Sequence, residues 1–443
     1  MGRSDDARGW PSVKDLCRIS AAALAGGCAI GLVGGLFRWL LAAADDHRDR
    51  LLAWVRLDPS WRWAVAVLGA AAAVALARHI VRWVPQAAGS GVQRVEAELR
   101  EEIAPVGIRL VAAKFVGGLL SLGAGMALGR EGPTVQMGAA FGTDAGHRFG
   151  ASSHDVRTIS AGAAGAGLAV AFGAPMGGAL FVFEEVARAF RLRLALATFV
   201  AVSSAVAVSW LLLGTEPIFS LPAPVSAPSM VSLPVYAVLG LLLGAAGVAY
   251  NKLVIFLLNV ADAVPRLVPE AKAAIVGGMV GLLGLAAPEL IGGGDVLNQE
   301  ILNEQVTLGY LALILLVRWL LGPLCYSVST PGGLFAPLLA VGAAAGALFA
   351  WPLQEFFPAL GISLTAAAIV GMSTFFAAVV RAPFTGVVLI VEMTATTALV
   401  VPMIVAAAGA LLSATALHGP PVYDTLRHRM EAAQHPGSRI PEP

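Results

Sequence analysis

Charge is what this chain has least of. Asp, Glu, Lys and Arg make up 13% of its 443 residues, against roughly 25% in an ordinary soluble domain. From Trp319 to Gln354 there is no charged side chain at all. From Leu194 to Asn251 the one charge is Glu216, and from Ala382 to Tyr423 it is Glu392. Such runs exclude a water-soluble globular fold and fit helices that cross a bilayer, each of which needs about 20 apolar residues. Cysteine is also scarce. Cys17, Cys28 and Cys325 stand singly in or beside apolar stretches, which leaves no spacing for a disulfide framework or a cysteine metal site. A net charge of +1 offers nothing to a polyanion, and no nucleic-acid partner is expected. His47, His79, His147, His154, His418, His428 and His435 form no H-E-x-x-H, and the chain has no G-x-S-x-G. Hydrolase chemistry therefore has no carrier, and no metal or cofactor is expected.

In place of charge the chain has internal repetition. Gly129-Arg130-Glu131-Gly132-Pro133 leads to Gly138 and Gly142, and Gly333-Leu334-Phe335-Ala336-Pro337 leads to Gly342 and Gly346. Both stretches read G-x-x-x-P-x-x-x-x-G-A-A-x-G, at an offset of 204 residues. Lys114 and Gly118 match Arg318 and Gly322 at the same offset. Further on, Ala174-Pro175-x-x-Gly178 leads to Glu184 as Ala382-Pro383-x-x-Gly386 leads to Glu392. Matches that keep their order imply two similar halves, which in a membrane protein point to a transporter or pore.

Full-length apolar segments are expected near 15–43, 61–84, 105–128, 190–213, 235–262, 270–288, 308–328 and 398–417. Shorter pieces punctuated by Gly and Pro are expected near 131–149, 157–186, 337–353, 363–379 and 384–396. Helices that begin or end inside a bilayer are tolerated only where their free backbone groups face a cavity or other protein. The resulting plan has an N-terminal segment at 1–14 and a first membrane half at 15–213. A linker at 214–234, marked by Pro217, Pro222, Pro224, Pro228 and Pro234, leads to a second half at 235–417. The chain closes with a C-terminal helix and short tail at 418–443. No cleavable signal peptide is read, and the tail is too short for a folded regulatory domain. Arg3, Arg8, Lys14 and Arg18 at one end and Arg427, Arg429 and Arg439 at the other place both termini in the cytoplasm, with the chain in a bacterial inner membrane.

Proline suits the first turn of a helix and glycine permits close backbone approach. The first amides of a helix lack partners and carry the positive end of its dipole, so a G-x-x-x-P start makes an anion site without a full positive charge. A cation or amino-acid transporter would also fit two halves, but the duplicated helix starts favour an anion. A passive pore and a coupled transporter remain equally open at this point.

These residues resemble the CLC family of chloride channels and proton–chloride antiporters, from about Ser12 to Leu426. The family's GREGP motif stands at 129–133 and its G-x-F-x-P motif at 333–337. Its GSGIP motif appears as Gly89-Ser90-Gly91-Val92-Gln93, with the last two positions altered. A Gly/Ala run from Gly162 leads to Glu184-Glu185, and Tyr423 ends Gly419-Pro420-Pro421-Val422-Tyr423. The resemblance implies an all-α membrane protein of about 17–18 full and half-spanning helices in two inverted repeats. It further implies a homodimer with one pore per subunit, without C-terminal regulatory domains. Bound chloride would meet the hydroxyls of Ser90 and Tyr423 and the amides of Leu334 and Phe335. Glu131 would be the gate and external proton carrier, and Glu185 the internal proton donor that distinguishes exchangers from channels. Arg130 would either gather anions at the mouth or pair with an acid. Proton-coupled chloride antiport is the expected function, and a passive chloride channel of the same fold is the alternative.

Overall fold

The computed structural model describes residues 12–58 and 60–434. The expected N-terminal segment, with Arg3 and Arg8, and the tail with His435 and Arg439 lie largely or wholly outside these residues. The described chain holds seventeen α-helices. The first eight are α1 (Val13–Leu57), α2 (Arg62–Trp83), α3 (Val92–Leu99), α4 (Arg109–Gly123), α5 (Glu131–Arg148), α6 (Ser153–Phe172), α7 (Pro175–Phe181) and α8 (Leu192–Leu213). The next eight are α9 (Leu233–Asp262), α10 (Pro269–Ala286), α11 (Asp295–Leu302), α12 (Leu308–Ser327), α13 (Phe335–Phe356), α14 (Leu364–Val380), α15 (Pro383–Thr394) and α16 (Val400–Ala416). The last is α17 (Val422–Gln434). Seven helices are long and apolar enough to cross a membrane: α1, α2, α8, α9, α10, α12 and α13.

Five of the expected segments are corrected. The stretch 398–417 is not among the full spans, since α16 has 17 residues and belongs with the shorter apolar helices. The stretch 337–353 is no short piece, since α13 runs for 22 residues. Pro337 falls in its first turn, where a missing N–H breaks no helical bond. The stretch 105–128 is no full span, since α4 has 15 residues and the chain leaves helix beyond Ala124, with Gly125 at φ 93°. The stretch 157–186 is two pieces. Gly173 at φ 62° caps α6, Pro175 opens α7, and a π-helical turn follows over Val182–Val186. The stretch 15–43 continues to Leu57, because the charged run from Asp45 to Arg50 contains no Gly or Pro to stop a helix. The eight-residue helices α3 and α11 were not expected at all.

The core is built where backbones touch. A methyl group on Gly138 of α5 would lie 2.1 Å from the Ala163 carbonyl oxygen of α6, and one on Gly346 of α13 would lie 2.1 Å from that of Ala367 in α14. Packing this close needs small residues and stands in for the hydrophobic drive that lipid cannot supply. Helices α6 and α14 are buried almost all round, as helices apolar on every face must be.

The two short helices α7 and α15 are capped by each other's half of the chain. The Glu392 carboxylate accepts from the amides of Met176 (2.9 Å) and Gly177 (2.8 Å) in the first turn of α7. The Glu184 carboxylate accepts from the amides of Phe384 (3.0 Å) and Thr385 (2.7 Å) in the first turn of α15. Each acid thus satisfies two amides that a helix start leaves free, with charge that complements the dipole.

Candidate anion site and gate

The two G-x-x-x-P stretches meet. Gly129 and Gly333 donate their amides to each other's carbonyls at 2.8 Å, as an isolated antiparallel bridge. Two residues beyond this bridge α5 begins at Glu131 and α13 begins at Phe335. The Phe335 amide donates to Glu131 Oε1 at 2.7 Å, so a carboxylate from the first helix occupies the start of the second. Glu131 is 0% exposed, and its Oε2 finds no hydrogen-bond partner among the described residues. Glycine is required on both sides of this carboxylate. A Cβ on Gly129 would lie 1.9 Å from Oε2, and one on Gly333 would lie 2.1 Å from Oε1. The residue that matches Glu131 in the second half, Phe335, is aromatic. Its ring packs at 4.7 Å from Phe376 and 5.7 Å from Tyr423, between ring centroids.

Ser90 comes to the same place from a separate loop. Gly89 and Gly91 around it take φ values of 58° and 85°, which a residue with a side chain rarely adopts. The buried Lys114 donates from Nζ to the carbonyls of Gly89 (2.7 Å) and Ser90 (3.2 Å), drawing the loop onto α4. The Ser90 backbone rests on Gly132, where a Cβ would lie 2.8 Å from the Ser90 Cα. Ser90 Oγ and Tyr423 Oη are both buried, and neither has a hydrogen-bond partner among the described residues. Buried hydroxyls left unpaired cost about 1–3 kcal/mol each. A dehydrated anion between them would accept from both. Leu334, the residue before α13, is fully buried beside this site, and Pro133 and Pro337 lie within the first turns of α5 and α13.

Glu185 lies apart from these groups, buried in the π-helical turn after α7. Arg188 reaches its Oε2 at 3.6 Å and Asp424 at 3.0 Å. Arg427 continues the chain of charges to Asp424 (3.5 Å) and to Glu102 (2.9 Å). The structure thus brings Ser90, Glu131, Phe335 and Tyr423 together and sets Glu185 beside a polar network on α17. Arg130 pairs with an acid, Asp295, at 3.0 Å.

Three participants were missed from sequence. Lys114 stood out only as the repeat partner of Arg318. Arg318 does the same work in the second half, donating to the carbonyls of Gly292 (2.7 Å) and Gly293 (2.8 Å). Tyr326, whose hydroxyl accepts from the Ser90 amide at 3.5 Å, had no local signal. Glu96, fully buried on α3 with both carboxylate oxygens unpaired among the described residues, sat in a segment not read as a helix.

A many-helixed membrane fold in which two helix starts converge on a buried acid is that of the CLC proteins. A sequence profile described as voltage gated chloride channel matches residues 69–415, and the chain belongs to this family. It is 36% identical over 418 residues to the H+/Cl− exchange transporter ClcA of Vibrio campbellii, covering 91% of this chain and 87% of that protein. With ClcA of Cronobacter sakazakii it shares 38% identity over 420 residues, covering 92% and 89%. The solved structure of a slow cyanobacterial Cl−/H+ antiporter superposes with a TM-score of 0.89 at 32% identity, covering 94% of this chain and 99% of that one.

Proposed function

We propose that this protein exchanges chloride for protons across the membrane, with Glu131 as both gate and proton carrier. The observation that carries this reading is the bond from the Phe335 amide to the Glu131 carboxylate. An ionised carboxylate at a helix start takes the place that an anion would take. Protonated, it loses most of that attraction and leaves the amide free for chloride. Anion and proton states then exclude one another, and exclusion is what couples their movements.

Ser90, Tyr423, Leu334 and Phe335 form the central anion site in this reading, and Glu185 passes protons to the opposite side. Its burial beside Arg188, Asp424 and Arg427 supports that role, because an acid within a membrane is costly and such residues mark ion and proton pathways. Chloride is the substrate, with nitrate and bromide carried less well. The eight helices from α1 to α8 and the eight from α9 to α16 form inverted repeats at 15–213 and 235–417, joined by the linker at 214–234. The antiparallel bridge between Gly129 and Gly333 supports the inversion. The protein acts as a homodimer with one pathway per subunit. Arg18 donates to the Gly150 carbonyl, Arg157 pairs with Glu101, and Arg427 pairs with Glu102. This basic face, which holds the start of α1 and also α17, is read as cytoplasmic. The segments 1–14 and 418–443 are assigned to the cytoplasm in this reading, and the membrane is the bacterial inner membrane.

Proteoliposomes with an imposed chloride gradient test the proposal. Chloride flow should drive protons uphill. Chloride flux without proton movement would leave a passive channel, and no chloride flux would remove both readings.

A further inference from the structure

The residue before Glu131 is held in an ion pair. Arg130 Nη1 meets Asp295 Oδ2 at 3.0 Å, and Arg130 is held from behind by a bond from its Nε to the Ala171 carbonyl at 2.9 Å. The pair joins the residue before α5 to the first residue of α11, so it crosses from one half of the chain to the other. Beneath it lies a cavity of about 40 Å³ lined by Leu128, Gly129, Arg130, Gly293, Asp295 and Ala336. That is room for one to a few water molecules. Beyond it opens a cavity of about 490 Å³ whose walls include Asp45, Arg48, Asp49, Glu289 and Asp295. Asp45, Gly293 and Asp295 line both cavities. The small cavity, with Gly129 and Arg130 in its wall, therefore adjoins the wide vestibule where the ion pair stands.

The repeat has nothing similar at its other mouth. Leu334 matches Arg130 at the offset of 204, and Val92 opens α3 after the left-handed Gly91 as Asp295 opens α11 after the left-handed Gly294; Leu334 and Val92 are both apolar and fully buried. Asp295 in the first turn of α11 would complement a helix dipole anywhere, but that role does not require a guanidinium one residue from the gating acid.

We infer that the Arg130–Asp295 pair is a latch over Glu131, which must part before an anion enters or the Glu131 side chain swings into the vestibule. Asp295 is then a positioning residue, acting through Arg130. Its carboxylate both ties the guanidinium in place and cancels the positive charge that would draw anions to the gate. Arg130 is 19% and Asp295 40% exposed in their side chains, so water enters readily when the pair opens and the latch is weak enough to cycle.

The inference rests on the antiport reading, and one set of proteoliposome measurements separates the two. If the parent protein shows no chloride-driven proton movement, the antiport reading fails. Given a coupled parent, Asp295→Asn should raise chloride turnover about fivefold, the equivalent of about 1 kcal/mol. It should also lower the KM for chloride and leave the proton-to-chloride ratio unchanged. Asp295→Glu should restore parental values. Asp45→Asn, which alters an acid of the same vestibule paired with Arg48, should leave turnover and KM within twofold of the parent. Equal acceleration by Asp45→Asn would show a general field effect and overturn the latch. So would unchanged transport in Asp295→Asn, or slower transport from a variant whose melting temperature in detergent matches the parent. Damage to folding cannot mimic the expected result, because it would slow transport.

Discussion

The backbone amide of Phe335 donates to the side-chain carboxylate of Glu131 across 2.7 Å, joining residues 204 positions apart. The first turns of two helices thereby share one anionic group. Both residues occupy the same place in the repeated stretch, and only one of them can ionise.

Glu131→Ala should leave the amide of Phe335 permanently free. Chloride flux in proteoliposomes should then lose its dependence on pH, and proton movement should vanish. In the parent, flux should rise as pH falls, since protonation empties the site. A parent flux that falls with acidification would contradict the gate.

A methyl group at Gly333 would strike Glu131 Oε1 at 2.1 Å. Gly333→Ala should therefore push the carboxylate off the amide and weaken coupling while chloride still flows. Added to Glu131→Ala it should change little further, because the group it displaces is gone. Additive effects of the two changes would mean that Gly333 acts elsewhere.

The adjacent acids Glu184 and Glu185 should separate cleanly. Glu184 caps α15, so Glu184→Ala should lower thermal stability in detergent by about 1–2 kcal/mol and leave the proton-to-chloride ratio intact. Glu185→Ala should abolish proton transport and leave chloride flux running. A reversal of these phenotypes would exchange their roles.

Ser90→Ala and Tyr423→Phe each remove one unpaired hydroxyl from the site. Each should weaken chloride binding, measured by calorimetry, about fivefold, the worth of one hydrogen bond near 1 kcal/mol. Unchanged affinity in both would place the anion elsewhere.

Lys114 is buried and donates to two carbonyls of the Ser90 loop. Lys114→Met should cost on the order of 3 kcal/mol of stability, because it leaves those carbonyls unpaired. Lys114→Arg should recover part of this, as Arg318 does the same task in the second half. A melting temperature unchanged in Lys114→Met would remove this role.

Local properties of the chain were readable before any coordinates. Apolar runs announced the membrane helices, because burial in lipid requires them whatever the neighbours are. The repeated G-x-x-x-P stretches, and the contrast between Glu131 and Phe335 within them, were equally local, since glycine and proline act on their own segment of backbone. The short helices α3 and α11 escaped notice, because eight partly polar residues carry no readable period. Partners far apart in the chain were decided only by packing. Glu184 and Glu392 cap each other's half, Lys114 reaches back to the Ser90 loop, and Arg130 meets Asp295 across the gate. Hydrogen bonds and ion pairs act over about 3 Å of space, and only the folded chain specifies which residues come that close.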